Sequence, residues 1–402
     1  MGTFVSLLLA VSIVLLAILV VVFLIEVIAA LFLAHRNVAV QVGIPDNIRP
    51  RLAVLVPAHN ESTSLLPTLQ DIKQQLWPGD RLLVVADNCT DDTAAVASGC
   101  GADVVERHDV ARRGKGYALD FGLRHLSSCP PEMVIIVDAD CRLEADALHE
   151  LARACVVTRR PVQALYLMTA PNEMRIDHRV AEFAWRVKNW LRPLGLRAFG
   201  LPCQLMGTGM AFPWDVIRVA NVANGCIVED IKLGLELTSR GYPPIFWPAA
   251  RVTSQFASSA SAAETQRERW ERGHINMIFA TVPRLFCDGV ARRDWKLLAL
   301  TLDLAVPPLS LLVILVAGTF AIAALFELLG FASFPLILGT ATLTLLMLAT
   351  FLAWMKCGRD LVPVGAVLSI VSYIAGKLPL YFIGLFRKKD AQWIKTDRAK
   401  SE

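Results

Sequence analysis

The chain has 402 residues, of which 55% are hydrophobic and 19% are charged, and its formal net charge is +4. With a mean hydropathy of +0.49, it is too apolar for an ordinary cytosolic enzyme. No basic stripe interleaved with aromatic residues supports nucleic-acid binding, so we expect no nucleic-acid partner. The 9 cysteines include no CxxC pair, which argues against a zinc site or a disulfide framework and favours reduced thiols facing the cytoplasm.

The N-terminal region has the pattern of a transmembrane anchor. Thr3–Ala34 is apolar apart from Glu26 and is long enough to cross a hydrocarbon core of about 30 Å. It is too long for the apolar part of a cleaved signal peptide, and it lacks a basic start and a clear cleavage site. The basic flank at His35 and Arg36 places the following residues in the cytoplasm. We therefore expect residues 1–36 to anchor the chain in the inner (plasma) membrane.

The C-terminal part becomes apolar again and contains three candidate membrane spans. These are Leu297–Phe326, Leu328–Met355 and Leu361–Phe386. They predict a transmembrane region over residues 297–390 and a tail over residues 391–402.

The charges of the tail constrain the number of crossings. Three full spans after an anchor whose N-terminus is outside would put the tail outside, whereas basic tail residues prefer the cytoplasm. We therefore predict that Leu361–Phe386, which Pro363 and Pro379 interrupt, does not cross fully and that the tail is cytoplasmic. The basic tail residues are Arg387, Lys388, Lys389, Lys395, Arg398 and Lys400.

Residues 37–272, between the apolar regions, alternate strand and helix patterns. This alternation predicts an α/β domain with a mostly parallel sheet and helices on both faces. The predicted strands are Leu52–Pro57, Arg81–Ala86, Asp103–Glu106, Val134–Val137 and Val162–Met168. The predicted helices are Leu65–Leu76, Asp92–Ser98, Gly116–Leu126, Ala145–Val157, Arg175–Leu191, Asp230–Ser239 and Ala262–Asn276.

The fourth predicted strand delivers two carboxylates, Asp138 and Asp140, to its C-terminal end. In open α/β sheets this edge is where ligands bind. Two acids separated by one small residue can share Mg²⁺ or Mn²⁺, which prefer oxygen ligands and a substrate diphosphate. An isolated DxD more often only caps the next helix, but the position after a strand and the acids downstream favour a metal site.

Two other strand ends carry polar residues. The first strand ends at Pro57 and is followed by His59, Asn60 and Glu61, where a nucleotide base would sit. Capping of the next helix by Asn60 explains that box equally well. The second strand is followed by Asp87, which can accept a hydrogen bond from a base N–H or a ribose hydroxyl.

Two further motifs fit the chemistry of sugar transfer. Glycines flank Lys115, so that a cation and backbone N–H groups can approach a phosphate; a solvated basic turn is the alternative. Glu229 and Asp230 lie at a predicted helix start, where they could act as an N-cap. They could equally supply the carboxylate base that takes a proton from an acceptor.

The last polar motif lies on a predicted helix. The i, i+3, i+4 spacing puts Gln266, Arg269 and Trp270 on one face. Arginine can stabilise a leaving diphosphate, and tryptophan offers a flat face to a sugar ring. Taken alone, the run resembles a charged helix at a membrane surface. For residues 273–296 we predict an interfacial helix, whose amphipathic part is Ile275–Phe286.

In this order, the motifs resemble those of the membrane-integrated family 2 glycosyltransferases, which include cellulose, hyaluronan, chitin and poly-N-acetylglucosamine synthases and ceramide glucosyltransferases. The resemblance covers roughly residues 50–275. It implies a GT-A (Rossmann-like) cytoplasmic domain between N- and C-terminal transmembrane helices. Two departures are Ala86, where many members carry another acid, and Gly207–Met210, which replaces the acceptor-side sequences of the best-known synthases.

The resemblance also implies roles for single residues. Asp87 would contact the uridine of a UDP-sugar, and Asp138 and Asp140 would hold the diphosphate and its Mg²⁺ or Mn²⁺. Asp230 would be the base, with Glu229 beside it. Gln266, Arg269 and Trp270 of the final motif would hold the diphosphate and the acceptor.

We interpret the chain as an inverting glycosyltransferase of cell-surface or exopolysaccharide synthesis. Its expected partners are a UDP-sugar, membrane lipids, a lipid-linked or polysaccharide acceptor, and an export partner protein. The alternative is a non-processive, glycolipid-forming transferase similar to ceramide glucosyltransferases. A nucleotidyltransferase is another alternative. It would need neither a base such as Asp230 nor the Gln-Arg-Trp helix, so the presence of both motifs counts against it. A transporter is a poor interpretation, because the chain has only three or four predicted membrane spans and one large polar domain inserted between them.

Overall fold

The computed structural model describes residues 2–33, 49–169, 176–223, 225, 228–256, 260–378 and 381. Within it the chain forms two compact units. The first consists of Met1–Asn37, Glu173–Gly200 and His274–Lys388, and the second of Val38–Asn172, Leu201–Gly273 and Lys389–Glu402.

The second unit is built on one mixed sheet of eight strands in the order β3-β2-β1-β4-β7-β6-β8-β5. The strands are β1 (Leu52–Ala58), β2 (Arg81–Asp87), β3 (Asp103–Arg107), β4 (Met133–Ile136), β5 (Arg142–Leu143), β6 (Val162–Thr169), β7 (Met210–Pro213) and β8 (Ile245–Gln255). β1 to β4 are mutually parallel, whereas β7 runs antiparallel to both β4 and β6.

Helices cover this sheet. They are α2 (Leu66–Lys73), α3 (Thr93–Gly99), α4 (Lys115–Leu126), α5 (Ala147–Thr158), α8 (Trp214–Ile217) and α9 (Glu229–Ser239). The next helix, α10 (Ala260–Arg292), begins in the same unit. β1 is buried along its whole length, as expected of a central strand covered on both faces. Leu55, Val85 and Ile136 from the strands pack with Leu119 and Leu123 of α4 in one core cluster.

The predicted α/β architecture is confirmed, with two differences in the sheet. All five predicted strands are present, but the sheet is mixed because β7 enters antiparallel. β8 was not predicted. Its sequence contains Pro248, and its register against β6 shifts between Ala164 and Leu165, so it lacks a clean period of two.

The first unit is helical. Its helices are α1 (Gly2–Phe32), α6 (Ile176–Arg186), α7 (Arg192–Ala198), the last part of α10, α11 (Trp295–Ala305), α12 (Leu309–Leu328), α13 (Phe334–Cys357) and α14 (Val367–Gly376). Three helices in the described part of the chain are long and apolar enough to cross a membrane: Thr3–Phe32, Leu309–Leu328 and Phe334–Cys357.

The C-terminal helices differ in extent from the predicted spans. The first predicted span, Leu297–Phe326, is divided into α11 and α12 because Pro307 and Pro308 cannot continue a helix. The third, Leu361–Phe386, contains the ten residues of α14, and residues 379, 380 and 382–386 lie outside the described residues. Leu378 and Tyr381 are also helical, and the Tyr381 N–H donates a hydrogen bond to the Lys377 carbonyl. That this segment does not cross the membrane fully stays a prediction.

The predicted interfacial segment is not a separate helix. Residues 273–292 continue α10 without interruption, and α11 begins at Trp295. The division between the two units falls inside α10, between Gly273 and His274. His35, Arg36 and the basic tail lie outside the described residues.

Residues 176–200, predicted as part of the α/β domain, belong to the first unit. Val180, Phe183 and Leu191 pack in the same buried cluster as Val20 and Phe23 of α1. Helix α6 continues through a π-helical turn, Val187–Leu191, into α7. A Cβ on Gly195 of α7 would overlap the Glu26 carbonyl, so only glycine allows this approach to α1.

A buried ion cluster ties three helices of the first unit together. Arg192 Nε lies 2.6 Å from Glu26 Oε2, and its Nη2 lies 2.5 Å from Asp303 Oδ1 and 2.7 Å from the Asp303 carbonyl. The three side chains are at most 8% exposed. One guanidinium thus bridges α1, α7 and α11.

Replacement of Arg192 by methionine is expected to destabilise the first unit by about 3–5 kcal/mol, because two buried carboxylates lose their counter-charge. Thermal unfolding in detergent measures this as a lower Tm. Arg186 is the matched control, since it also bridges two carboxylates, Glu182 and the 62% exposed Asp360. If Arg186→Met lowered Tm as much as Arg192→Met, the result would contradict the claim that the loss is large because the carboxylates around Arg192 are buried.

Candidate active site

Three parallel strands bring polar residues to one edge of the sheet. Asp87 is the last residue of β2, and Asp138 follows the end of β4 by two positions. β1 lies between these strands, so the turn after Ala58 reaches the same edge. The predicted convergence of these motifs at the carboxyl edge therefore follows from the observed register.

Lys115 joins the separate acidic motifs. Its Nζ lies 2.5 Å from Asp138 Oδ1 and 3.7 Å from Glu229 Oε1, and it donates a hydrogen bond of 2.8 Å to the Gly207 carbonyl. Lys115 is the first residue of α4 and follows Gly114, whose φ of 137° is open to glycine. Burial alone would lower the pKa of Lys115, but Asp138 and Glu229 raise it, so the ammonium keeps its charge.

Gly207 lies at the centre of this group. A Cβ built on Gly207 would lie 3.5 Å from both Asp230 Oδ2 and Lys115 Nζ, and 4.0 Å from Asp138 Oδ2. Its φ of +90° is strained for any other residue. The structure therefore brings together Lys115, Asp138, Glu229 and Asp230 around one glycine, although they lie up to about a hundred residues apart.

Asp138, Asp140 and Cys141 form a group that could hold a metal ion. One ligand atom from each lies within 4.8 Å of the others. The two half-buried carboxylates fit Mg²⁺ or Mn²⁺, which prefer oxygen, whereas the buried thiol is a softer neighbour. Burial raises the pKa of Asp138, Lys115 lowers it and the adjacent Asp140 raises it, with a net upward shift. This concentration of negative charge suits a divalent cation.

Glu229 and Asp230 begin α9, and their environments differ. Asp230 faces Gly207, whereas the Glu229 side chain is 12% exposed and faces Lys115. Burial raises the pKa of Glu229 to about 8, and Lys115 opposes that shift. The folded state therefore favours a proton on Glu229 at pH values where the unfolded chain has lost it.

This shift predicts a pH-dependent stability. The stabilisation is complete below about pH 4.5, the ordinary pKa, and is lost as the pH rises to about 8. Relative to wild type, the Tm of Glu229→Gln should rise between pH 5 and pH 8. Glu236→Gln, on the same helix and paired with Arg240 near the surface, is the matched control. A constant difference in Tm between Glu229→Gln and wild type would contradict the raised pKa.

The residues predicted to hold the nucleotide base form a second group. His59 Nδ1 lies 2.7 Å from the Asp87 carbonyl oxygen, and Asn60 Oδ1 accepts a hydrogen bond of 2.7 Å from Thr90 N–H. Asn60 thus joins the β1 and β2 turns rather than capping a helix. Pro57 is buried within β1, and Glu61 N–H donates to Thr93 Oγ1 at 2.9 Å.

Asp87 has a partner that the sequence analysis missed. Arg107 Nη1 lies 2.6 Å from Asp87 Oδ1, and both side chains are at most 9% exposed. Asp87 and Arg107 occupy paired positions of β2 and β3. Opposite charges at the ends of two consecutive strands were therefore the sequence pattern that could have predicted this ion pair. Asp87 is completely buried, and its Oδ2 makes no hydrogen bond to the described residues.

Thr68 is another missed residue. It is 1% exposed, and its Oγ1 lies 2.8 Å from the Ala139 carbonyl and 2.6 Å from the Cys141 carbonyl. Its hydroxyl therefore holds the turn that carries Asp138 and Asp140. A threonine inside an amphipathic helix gives no signal of this role in the sequence.

The Gln-Arg-Trp motif lies on α10, which follows the last strand of the sheet in the sequence. Gln266 is 5% exposed, and Arg269 and Trp270 are half-buried one turn further on. Burial lowers the pKa of the Arg269 guanidinium, whose Nε makes no hydrogen bond to the described residues. An arginine desolvated in this way is suited to bind an anion.

Comparison with known proteins identifies the family of this chain. Residues 50–273, more than half of the chain, match the family described as Glycosyltransferase like family 2. The chain belongs to this family. The α/β unit of this family 2 member has a GT-A-like fold with a mixed sheet.

Individual relatives of this glycosyltransferase are more distant. The chain is 24% identical over 247 residues to the probable glycosyltransferase YdaM of Bacillus subtilis, covering 59% of this chain and 58% of that protein. An uncharacterized glycosyltransferase of Mycobacterium tuberculosis is 32% identical over 190 residues, covering 42% of this chain and 83% of that protein. The chain thus spans less than two thirds of the Bacillus relative.

One solved structure aligns with most of this chain. It is the mannosyltransferase PcManGT of Pyrobaculum calidifontis, in complex with GDP-Man and Mn²⁺. Its TM-score is 0.49 at 18% identity, with 92% of this chain and 95% of that chain covered.

Proposed function

We propose that this chain is a membrane-anchored, inverting glycosyltransferase that uses a UDP-sugar and Mg²⁺ or Mn²⁺. Its acceptor would be a lipid-linked molecule or a polysaccharide at the cytoplasmic face of the inner membrane. The observation that supports this most directly is the arrangement around Gly207. Lys115, Asp138 and Asp230 lie beside this glycine, and Glu229 pairs with Lys115. Asp140 lies next to Asp138 in the group that could hold a metal ion.

The metal-binding residues would be Asp138 and Asp140. A divalent cation bound there would neutralise charge on a diphosphate. Lys115, already charged and held by the Gly207 carbonyl, would bind a diphosphate oxygen from the other side. Asp87, His59 and the turn after β1 would position the nucleoside.

Asp230 would act as the base. Inversion requires the acceptor hydroxyl to attack the anomeric carbon opposite the leaving diphosphate, with one carboxylate taking its proton. Asp230 Oδ2 and Lys115 Nζ would each lie 3.5 Å from a Cβ built on Gly207, and Asp138 Oδ2 would lie 4.0 Å from it, so Asp230 lies beside the residues proposed to bind the diphosphate. Gln266, Arg269 and Trp270 would bind the diphosphate and the acceptor sugar.

The acceptor is proposed to be lipid-linked, or a growing chain exported with a partner protein. The described part of the first unit provides three helices apolar enough to span a membrane, and its buried Arg192 is neutralised by Glu26 and Asp303. A polar chain in transit would need a polar lining. These helices fit an anchor better than a dedicated channel.

The decisive experiment measures nucleotide release by the purified full-length protein across a panel of UDP- and GDP-sugars, with Mn²⁺ and with Mg²⁺. Product size is analysed with and without added lipid acceptors. We expect release from one UDP-sugar and transfer to a lipid-linked acceptor. Release from GDP-sugars alone would refute the UDP assignment, and long polymer formed without acceptor or partner would refute the acceptor assignment.

A further inference from the structure

The strand that follows the Gly207 turn, β7, forms only a short pairing with β6. β6 and β7 pair only at Val162 with Ala211 and at Gln163 with Met210. Beyond that point the Ala164 N–H donates to the Gly209 carbonyl at 2.8 Å, and the chain turns away through Gly207 and Gly209, both with positive φ. Another group must therefore satisfy the backbone of the turn.

The side chain of Gln163 performs this task. Its Nε2 donates hydrogen bonds of 2.9 Å to the Thr208 carbonyl and 2.9 Å to the Ala164 carbonyl. Its Oε1 accepts a hydrogen bond of 2.8 Å from the Met206 N–H. Both amide protons and the carbonyl oxygen are used, and Gln163 and Thr208 are 0% exposed. The amide thus continues the sheet where backbone pairing stops.

The opposite side of the same turn contacts the reacting groups. The Gly207 carbonyl accepts from Lys115 Nζ at 2.8 Å, and Thr208 Oγ1 accepts from the Asp138 N–H at 3.1 Å. Gln163 therefore holds the Met206 N–H and the Thr208 carbonyl. The Gly207 carbonyl and the Thr208 hydroxyl of the same turn contact Lys115 and Asp138.

We infer that Gln163 is a positioning residue that sets the spacing between Lys115 and Asp138 through the Met206–Thr208 turn. It touches neither nucleotide nor metal and acts only through the backbone of the turn. This inference rests on the proposed function, because it takes Lys115 and Asp138 to be the diphosphate and metal ligands. Its consequence is that the affinity for nucleoside diphosphate depends on a buried neutral amide beneath the site.

The test replaces Gln163 by methionine, which has a similar volume and no hydrogen-bonding amide. Isothermal titration of the full-length protein in detergent with UDP, in the presence of Mn²⁺, should give a Kd raised by about tenfold to a hundredfold. That range corresponds to leaving buried backbone groups unsatisfied. KM for the UDP-sugar should rise more than kcat falls, because the chemistry of Asp230 is unaffected.

Gln75→Met is the matched control. Gln75 also makes three hydrogen bonds to backbone groups, from its Nε2 to the Asp71 and Glu144 carbonyls and to its Oε1 from the Leu148 N–H. Because Gln75 is half-buried and Gln163 is fully buried, Gln75→Met should lower Tm by less than Gln163→Met does, and it should leave the Kd of UDP unchanged. Equal changes in Kd for the two variants would overturn the inference, since they would show only a general loss of stability.

A double substitution tests the path through Lys115. In a Lys115→Met background, Gln163→Met should weaken UDP binding less than it does in the wild type. Additive effects would overturn the inference. Failure of the wild type to bind UDP would refute the proposed function, whereas tight UDP binding by Gln163→Met would refute this inference alone.

If Gln163→Met does not fold, hydrogen exchange of the wild-type protein supplies the answer. The Met206 and Asp138 amides should exchange slowly without ligand, because Gln163 and Thr208 bind them. Exchange at the rate of an exposed loop would show that the amide does not hold the turn, and would overturn the inference.

Discussion

Replacement of Asp230 by asparagine is expected to lower turnover by about 10²–10⁴-fold while UDP-sugar still binds, because an amide cannot take the acceptor's proton. Steady-state kinetics and the Kd of the UDP-sugar measure the two effects. Asp120→Asn is the matched control, since Asp120 pairs with Arg124 on the surface of α4.

The neighbouring acid makes this prediction discriminating. Glu229→Gln should retain much of the turnover, because Glu229 faces Lys115 and its raised pKa of about 8 keeps it largely protonated at neutral pH. If Asp230→Asn abolishes nucleotide binding and Glu229→Gln abolishes turnover, the assignment is reversed. Asp230 would then be structural and Glu229 the base.

Replacement of Asp138 or Asp140 by asparagine is expected to abolish transfer while the protein remains folded, because each change removes a metal ligand rather than core packing. Binding of Mn²⁺, followed by electron paramagnetic resonance, should be lost in parallel. Asp120→Asn again serves as the control. Full wild-type activity in excess chelator would contradict the metal assignment.

Much of the second unit could be predicted from the sequence because its signals are local. Apolar runs such as Val134–Val137 predict a buried strand. A carboxylate that directly follows such a strand is expected to lie at the carboxyl edge of the sheet. Asp138 follows β4 and Lys115 follows β3, and these strands belong to one parallel run with β1 and β2, so both residues come to the same edge of the sheet. Confirmation of the family supports this reasoning, while the roles of the site residues stay predictions.

What could not be predicted depends on pairing across long distances. Gln163 and Thr68 act through backbone carbonyls of turns far away in the sequence, and nothing in their neighbours indicates those partners. The same is true of residues 176–200. Their helical pattern was recognised, but an amphipathic face does not reveal whether it covers a sheet or packs on a distant apolar helix such as α1.

The ion cluster of the first unit has a consequence for biosynthesis. Arg192 pairs with Glu26, 166 residues before it, and with Asp303, 111 residues after it. At roughly 5–20 residues per second, the ribosome adds Arg192 about 8–33 s after Glu26 and completes the cluster several seconds later. During that interval α1 carries an acid whose counter-charge has not yet been synthesised. The first helix can therefore reach its final packing only after most of the polypeptide has been made, which delays assembly of the first unit until late in translation.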